Sequence, residues 1–244
     1  MLLPSEVVSM DLVAPTLRAI REKIPGLGTS QLGPEYAYHS LPLCVIDSVF
    51  SIGVKYANSQ KAVESWCQSQ QPLWVKFQAD GEPRSTIDDL IRITEGYEGV
   101  ALADKFFGGN KQRTSTRSGV LKAEAVVDYC KALRRAGVND FADLKNTEIV
   151  ELARAEVGKV TGHASGISFD YLMILAGAHS YIKADRMVCR FISEACGGRK
   201  VSIEDAKTTL TGACAELVLE YPKLTPARLD NLVWEYQSKI KSKR

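Results

Sequence analysis

No run of this chain is apolar over the length that a membrane crossing needs. Its first residues, Met1-Leu2-Leu3-Pro4-Ser5-Glu6, offer neither a basic start nor a sustained apolar core. A signal peptide is therefore not expected, and the expectation is a cytoplasmic protein with no membrane contact. Histidine is scarce: His39, His163 and His179 are far apart with no i, i+4 pair, which leaves no ligand set for zinc. An excess of one charge is also missing. With 31 basic and 29 acidic residues the net charge is +2, too little to argue for nucleic acid without local clustering. Cys44, Cys67, Cys130, Cys189, Cys196 and Cys214 fall one per helix-like segment, a distribution that suits reduced, buried thiols better than a disulfide framework. Internal repeats, low-complexity segments and β-hairpin patterns are absent. No metal or cofactor is expected.

What the chain does carry is helical periodicity over 244 residues, enough for one large or two small domains. Residues 5 to 23 hold an interrupted apolar pattern, read as one or two short helices closed by Pro25-Gly26-Leu27-Gly28. Residues 41 to 54 are nearly continuously apolar, which predicts a central buried helix breaking at Ser51-Ile52-Gly53. A helix over residues 59 to 67 follows, then a segment of mixed preference holding Leu73, Trp74, Val75 and Phe77. Ser85-Thr86-Ile87-Asp88 pairs hydroxyls with an acid and reads as a helix start. Residues 120 to 136 are amphipathic, with Leu121, Ala125, Tyr129 and Leu133 on one side and Gly137 as the stop. Ser202 opens another helix, and Pro226 stands at the first helical position of the last. The fold class is all-α.

Two stretches stand apart. Residues 108 to 119, GGNKQRTSTRSG, combine Lys111, Arg113 and Arg117 with Thr114, Ser115 and further hydroxyls, several glycines and no acid. Such a loop offers charge, hydroxyl donors and accessible amides to phosphate oxygens, or is a solvated surface loop. Residues 158 to 196 read as two helices with loops between them. Lys159 to Gly166 is small and polar, a tight hairpin; Phe169, Leu172, Met173 and Ala176 form the stripe of a short buried helix ended by Gly177. Asp185 then precedes Met187, Val188, Phe191 and Ile192, which places it at a helix N-terminus.

That second arrangement resembles the helix-hairpin-helix DNA glycosylases, the superfamily of endonuclease III. Its members trail a Gly-rich hairpin, L-P-G-V-G-x-x-T-A, with a D-T-H-V-x-R-V run. Here Asp185, Val188 and Arg190 fall on the second pattern, Arg186 and Met187 depart from it, and Val160 to Gly166 echo the first loosely. The resemblance implies a two-lobed helical fold, one lobe spanning residues 41 to 165 and the other residues 1 to 40 plus 166 to 244, with Asp185 in the cleft. It further implies a monomer acting on double-stranded DNA that carries a damaged or modified base, including modified bases of phage DNA. In such an enzyme a carboxylate stabilises charge on the sugar and activates water, while the base is flipped out and a wedge holds the gap.

Carried over residue by residue, the resemblance makes Asp185 catalytic. By the same resemblance Lys159, Gly162, His163 and Gly166 of the hairpin contact DNA; the 108 to 119 loop is a candidate contact on its own residues alone. Gly53 stands at the family's wedge position, with Lys55 or Tyr56 as substitutes, and Ser168 and Asp170 line the pocket. The iron-sulfur cluster of some members needs four closely spaced cysteines, and only Cys189, Cys196 and Cys214 lie in that region, so none is expected. Bifunctional members carry a lysine at the start of the helix after the hairpin, where this chain has Ile167 and Ser168. That implies a monofunctional enzyme leaving an abasic site; Lys183, two residues before Asp185, keeps a lyase step open or contacts phosphate. Other readings remain, among them a helical protein-interaction domain with no role on DNA. Asp185 is equally a helix cap, since aspartate is a favoured one. The whole chain also fits a non-catalytic helix-hairpin-helix DNA-binding protein.

Overall fold

The computed structural model describes residues 4–28, 32–33, 36–54, 56–70 and 85–241. They form α1 (Pro4–Lys23), α2 (Leu41–Phe50), α3 (Tyr56–Ser69), α4 (Ile87–Ile93), α5 (Gly99–Phe106) and α6 (Lys122–Arg135). These are followed by α7 (Thr147–Gly158), α8 (Ile167–Leu175), α9 (Arg186–Ala195), α10 (Ile203–Leu217) and α11 (Pro226–Lys241). Among the described residues there is no strand, only an isolated antiparallel bridge between Arg113 and Leu121. The all-α expectation holds. No described helix is long and apolar enough to cross a membrane. The mixed segment around Leu73 and Trp74, and Lys55, lie outside the described residues.

The chain divides into two units, residues 34–177 and residues 1–33 with 178–244. In the first, α2 is buried along all ten residues, and α3, α4, α6 and α8 pack around it. A helix enclosed on every side needs no polar face, which is why its sequence is almost uninterrupted in apolar residues. Trp66, Phe106 and Phe107 extend this core, with ring centroids 5.3 and 5.6 Å from Trp66. In the second unit α1 packs against α9 and α10, and α11 against α9 and α10, around Ile20, Val188, Ile192, Leu210, Leu229 and Val233. The first helix is continuous through Pro15 rather than broken in two.

The boundaries differ from 41 and 165. Helix α8 groups with the central unit because Ser168 to Leu175 are buried and the helix lies on α2. Its apolar composition announces burial but not the partner.

Local signals explain the helix ends. Thr86 and Asp89 close a capping box, the Asp89 N–H donating to Thr86 Oγ1 (3.3 Å) and the Thr86 N–H to Asp89 Oδ2 (2.8 Å). Ser202 and Asp205 repeat it at α10. Gly137 has φ +88°, as the residue after a helix end often does.

Candidate functional site

Asp185 is the N-cap of α9. Its backbone is extended, and Oδ1 accepts the N–H groups of Met187 (2.7 Å) and Val188 (3.3 Å), satisfying two amides that the helix leaves open. The side chain is half-buried. Oδ2 takes no hydrogen bond among the described residues. The segment before it is tied to α11: the Lys183 N–H donates to Asp230 Oδ2 (3.2 Å), and the Ala227 N–H to the His179 carbonyl (3.0 Å). The Asp185 carboxylate thus stands on a backbone tied to α11, with Oδ1 engaged by the helix and Oδ2 without a hydrogen bond among the described residues.

The hairpin belongs to the unit of residues 34–177, whereas Asp185 belongs to the other. Between α7 and α8 the chain turns through Gly162 (φ +90°) and Gly166 (φ +74°), both in the left-handed region that glycine enters without strain. Gly166 caps α8 with no side-chain hydrogen bond. Gly162 also permits a close approach: a Cβ there would lie 2.5 Å from Thr114 Cβ. The hairpin and the polar loop therefore meet, a juxtaposition with no signature in the sequence.

The loop itself is a closed turn. The Thr114 N–H donates to the Val120 carbonyl (2.9 Å), and Arg113 Nη1 to the Gly119 carbonyl (2.8 Å). The Ser118 N–H donates to Ser115 Oγ (3.3 Å). Lys111, Arg113, Ser115 and Arg117 are exposed, and Thr114 is half-buried. Lys159 is exposed and paired with Glu156, which Arg135 also holds; together the two cations keep the Glu156 carboxyl below its ordinary range. Gly53 is exposed at φ +71° with open space where a Cβ would stand, so the loop after α2 ends in an uncovered tip. Tyr56 is the first residue of α3.

Three of the expected residues, His163, Ser168 and Asp170, are buried. His163 is 1 % exposed, and its Nδ1 shares a hydrogen bond with Ser168 Oγ (2.7 Å). Its ring meets Tyr129 edge-on, centroids 5.3 Å apart. Burial, with a smaller push from nearby Lys122, brings its pKa down to about 4, so the ring is neutral at pH 7. Ser168 serves as that partner. Asp170 is 2 % exposed and bonded to Arg154 Nη2 (2.6 Å), whose guanidinium lies over the Phe169 ring. These contacts tie the hairpin to α8 through His163 and Ser168, and α8 to α7 through Asp170 and Arg154. For His163 the reason is local: in a glycine-flanked loop no period tells which side chain turns inward.

Sequence reasoning also passes over Asp47 and Lys122. Asp47 is wholly buried on α2, and its Oδ2 accepts from Tyr38 (2.9 Å), Tyr171 (3.3 Å) and Gln60 (3.3 Å). A single charge in the run LPLCVIDSVF was the available signal. Burial pushes the Tyr129 phenol, close to Ser168 and Ser48, well above its ordinary value. All six cysteines are free thiols, and no group of three metal-ligating side chains occurs among the described residues.

No curated protein and no solved structure matches the chain. A family model described as a domain of unknown function, DUF8548, matches residues 17–238. Spanning nearly the whole fold, both units included, that match makes the chain a member of the DUF8548 family.

Proposed function

We propose that this protein is a monofunctional DNA N-glycosylase that acts as a monomer on double-stranded DNA and hydrolyses the bond between deoxyribose and a flipped-out damaged or modified base. The observation that carries the reading is the order α7, glycine hairpin, α8, then an aspartate capping α9 through one carboxylate oxygen, the other taking no hydrogen bond among the described residues. In this reading Lys111, Arg113 and Arg117 neutralise phosphates, and the hairpin amides with the positive end of α8 hold the strand without reading sequence. Gly53 and its neighbours fill the space left by the base.

As the C–N bond breaks, its electrons leave with the base and positive charge builds on the sugar. The Asp185 carboxylate stabilises that charge and accepts a proton from the attacking water, whose oxygen bonds to the anomeric carbon; the departing base takes a proton from solvent, and Asp185 returns its own to solvent afterwards. Capping and catalysis coexist because they use different oxygens. At the start of α8, where the bifunctional enzymes carry their lysine, stand Ile167 and Ser168, and Ser168 is engaged by His163.

The test is incubation with duplexes carrying oxidised, alkylated, deaminated or mismatched bases and with modified phage genomes, followed by alkaline cleavage at abasic sites. Base release from one class supports the reading and names the substrate. Salt-sensitive binding with no release on any duplex supports a non-catalytic DNA-binding protein, the reading that Arg186 and Met187 favour. Borohydride should trap no covalent adduct; a trapped adduct that disappears in Lys183→Ala would make the enzyme a lyase.

A further inference from the structure

We propose that Lys122 is a positioning residue whose buried ammonium fixes the loop after α2, residues 51–54, in the shape that enters the duplex when a base is extruded. The inference rests on the glycosylase reading and deepens it. Lys122 is the first residue of α6 and is 1 % exposed. Its Nζ donates to the Phe50 carbonyl (2.9 Å) and to the Ile52 carbonyl (2.7 Å). The first of these is an open acceptor at the negative end of α2, and the second lies in the loop itself.

A buried ammonium is expensive, and this one stands at the positive end of its own helix, where a cation is disfavoured. Ending α2 does not require it. The Ser51 N–H already donates to the Asp47 carbonyl (2.8 Å), and Ser51 Oγ to the Ser48 carbonyl (3.0 Å). What Lys122 adds is a hold on Ile52, one residue before the exposed, left-handed Gly53. Without that hold the tip would hinge on a glycine, and a loop that bends more easily than the base stack unstacks cannot serve as a wedge.

The same residue touches the other segments assigned to DNA. Its N–H donates to the Gln112 carbonyl (2.8 Å) at the foot of the polar loop, and its charge acts on His163 of the hairpin. The loop that penetrates the duplex and the two segments that grip its backbone thus all meet at one residue, the first through its ammonium and the polar loop through its main chain.

The test compares wild type with Lys122→Met and Lys122→Gln by two readouts. Amide hydrogen exchange over residues 51–54 should accelerate by about tenfold or more in both variants, with the rest of the central unit unchanged. With a duplex carrying 2-aminopurine opposite a mismatch, the fluorescence rise that reports unstacking should fall by about tenfold, while affinity for the duplex stays within about twofold. Lys122→Gln keeps a polar donor in the buried site and carries the comparison if the methionine variant does not fold. Lys122→Arg should restore both readouts to within about threefold of wild type. Wild-type exchange and wild-type unstacking in folded Lys122→Gln overturn the proposal. A wild-type protein that binds the duplex with no fluorescence rise overturns the glycosylase reading and the penetrating role, whereas the exchange arm still decides whether Lys122 anchors the loop.

Discussion

His163 turns a hairpin side chain into part of the core, and that has a consequence for pH. Folding lowers its pKa from an ordinary 6.5 to about 4, chiefly because burial penalises the imidazolium. Between those values the unfolded chain binds a proton that the folded one does not. The group therefore leaves stability complete above about pH 6.5 and erodes it as pH falls towards 4, by about 1.4 kcal/mol per unit. Urea midpoints for wild type and His163→Gln at pH 7 and pH 4.5 check this. The variant is expected to be less stable at pH 7 but to lose less on acidification; parallel losses would mean that other groups set the acid limb. At the same scale the capping role of Asp185 was readable from Asp185 and the spacing of Val188 and Ile192 behind it. The inward turn of His163 was not readable, because its neighbours in the hairpin carry no periodic apolar pattern.

At the scale of elements, the hairpin and the 108 to 119 loop act as one piece, joined where Gly162 meets Thr114. Gly162→Ala would force a Cβ to 2.5 Å from Thr114 Cβ and hold alanine at φ +90°. Strain of this kind costs about 1–3 kcal/mol, read as a lower thermal midpoint together with weaker DNA retention. An unchanged midpoint would show that the two segments do not lean on each other. Replacing Lys111, Arg113 and Arg117 together by alanine is expected to flatten the log–log salt dependence of duplex binding by about 0.9 for each phosphate no longer neutralised. An identical slope would return the loop to a solvated surface. The helices themselves were legible wherever capping chemistry or amphipathic spacing was strong, as at Thr86, Ser202 and α6. A helix buried all round, such as α8, gives no direction from its sequence, which is why its membership of the central unit came only from its packing on α2.

Across the whole molecule, the chain builds one unit from a continuous segment and the other from its two ends, α1 closing over α9 and α10. The hairpin lies in the first and Asp185 in the second. Substitution of Asp185 by asparagine separates its two roles, because asparagine caps a helix about as well as aspartate but cannot take a proton from water. The decisive measurement is single-turnover base release by Asp185→Asn on the duplex that wild type cleaves, with binding measured on the same DNA. The account predicts unfolding stability within about 0.5 kcal/mol of wild type, unchanged duplex affinity, and release slowed by about 10²–10⁴-fold. Release at the wild-type rate would contradict it.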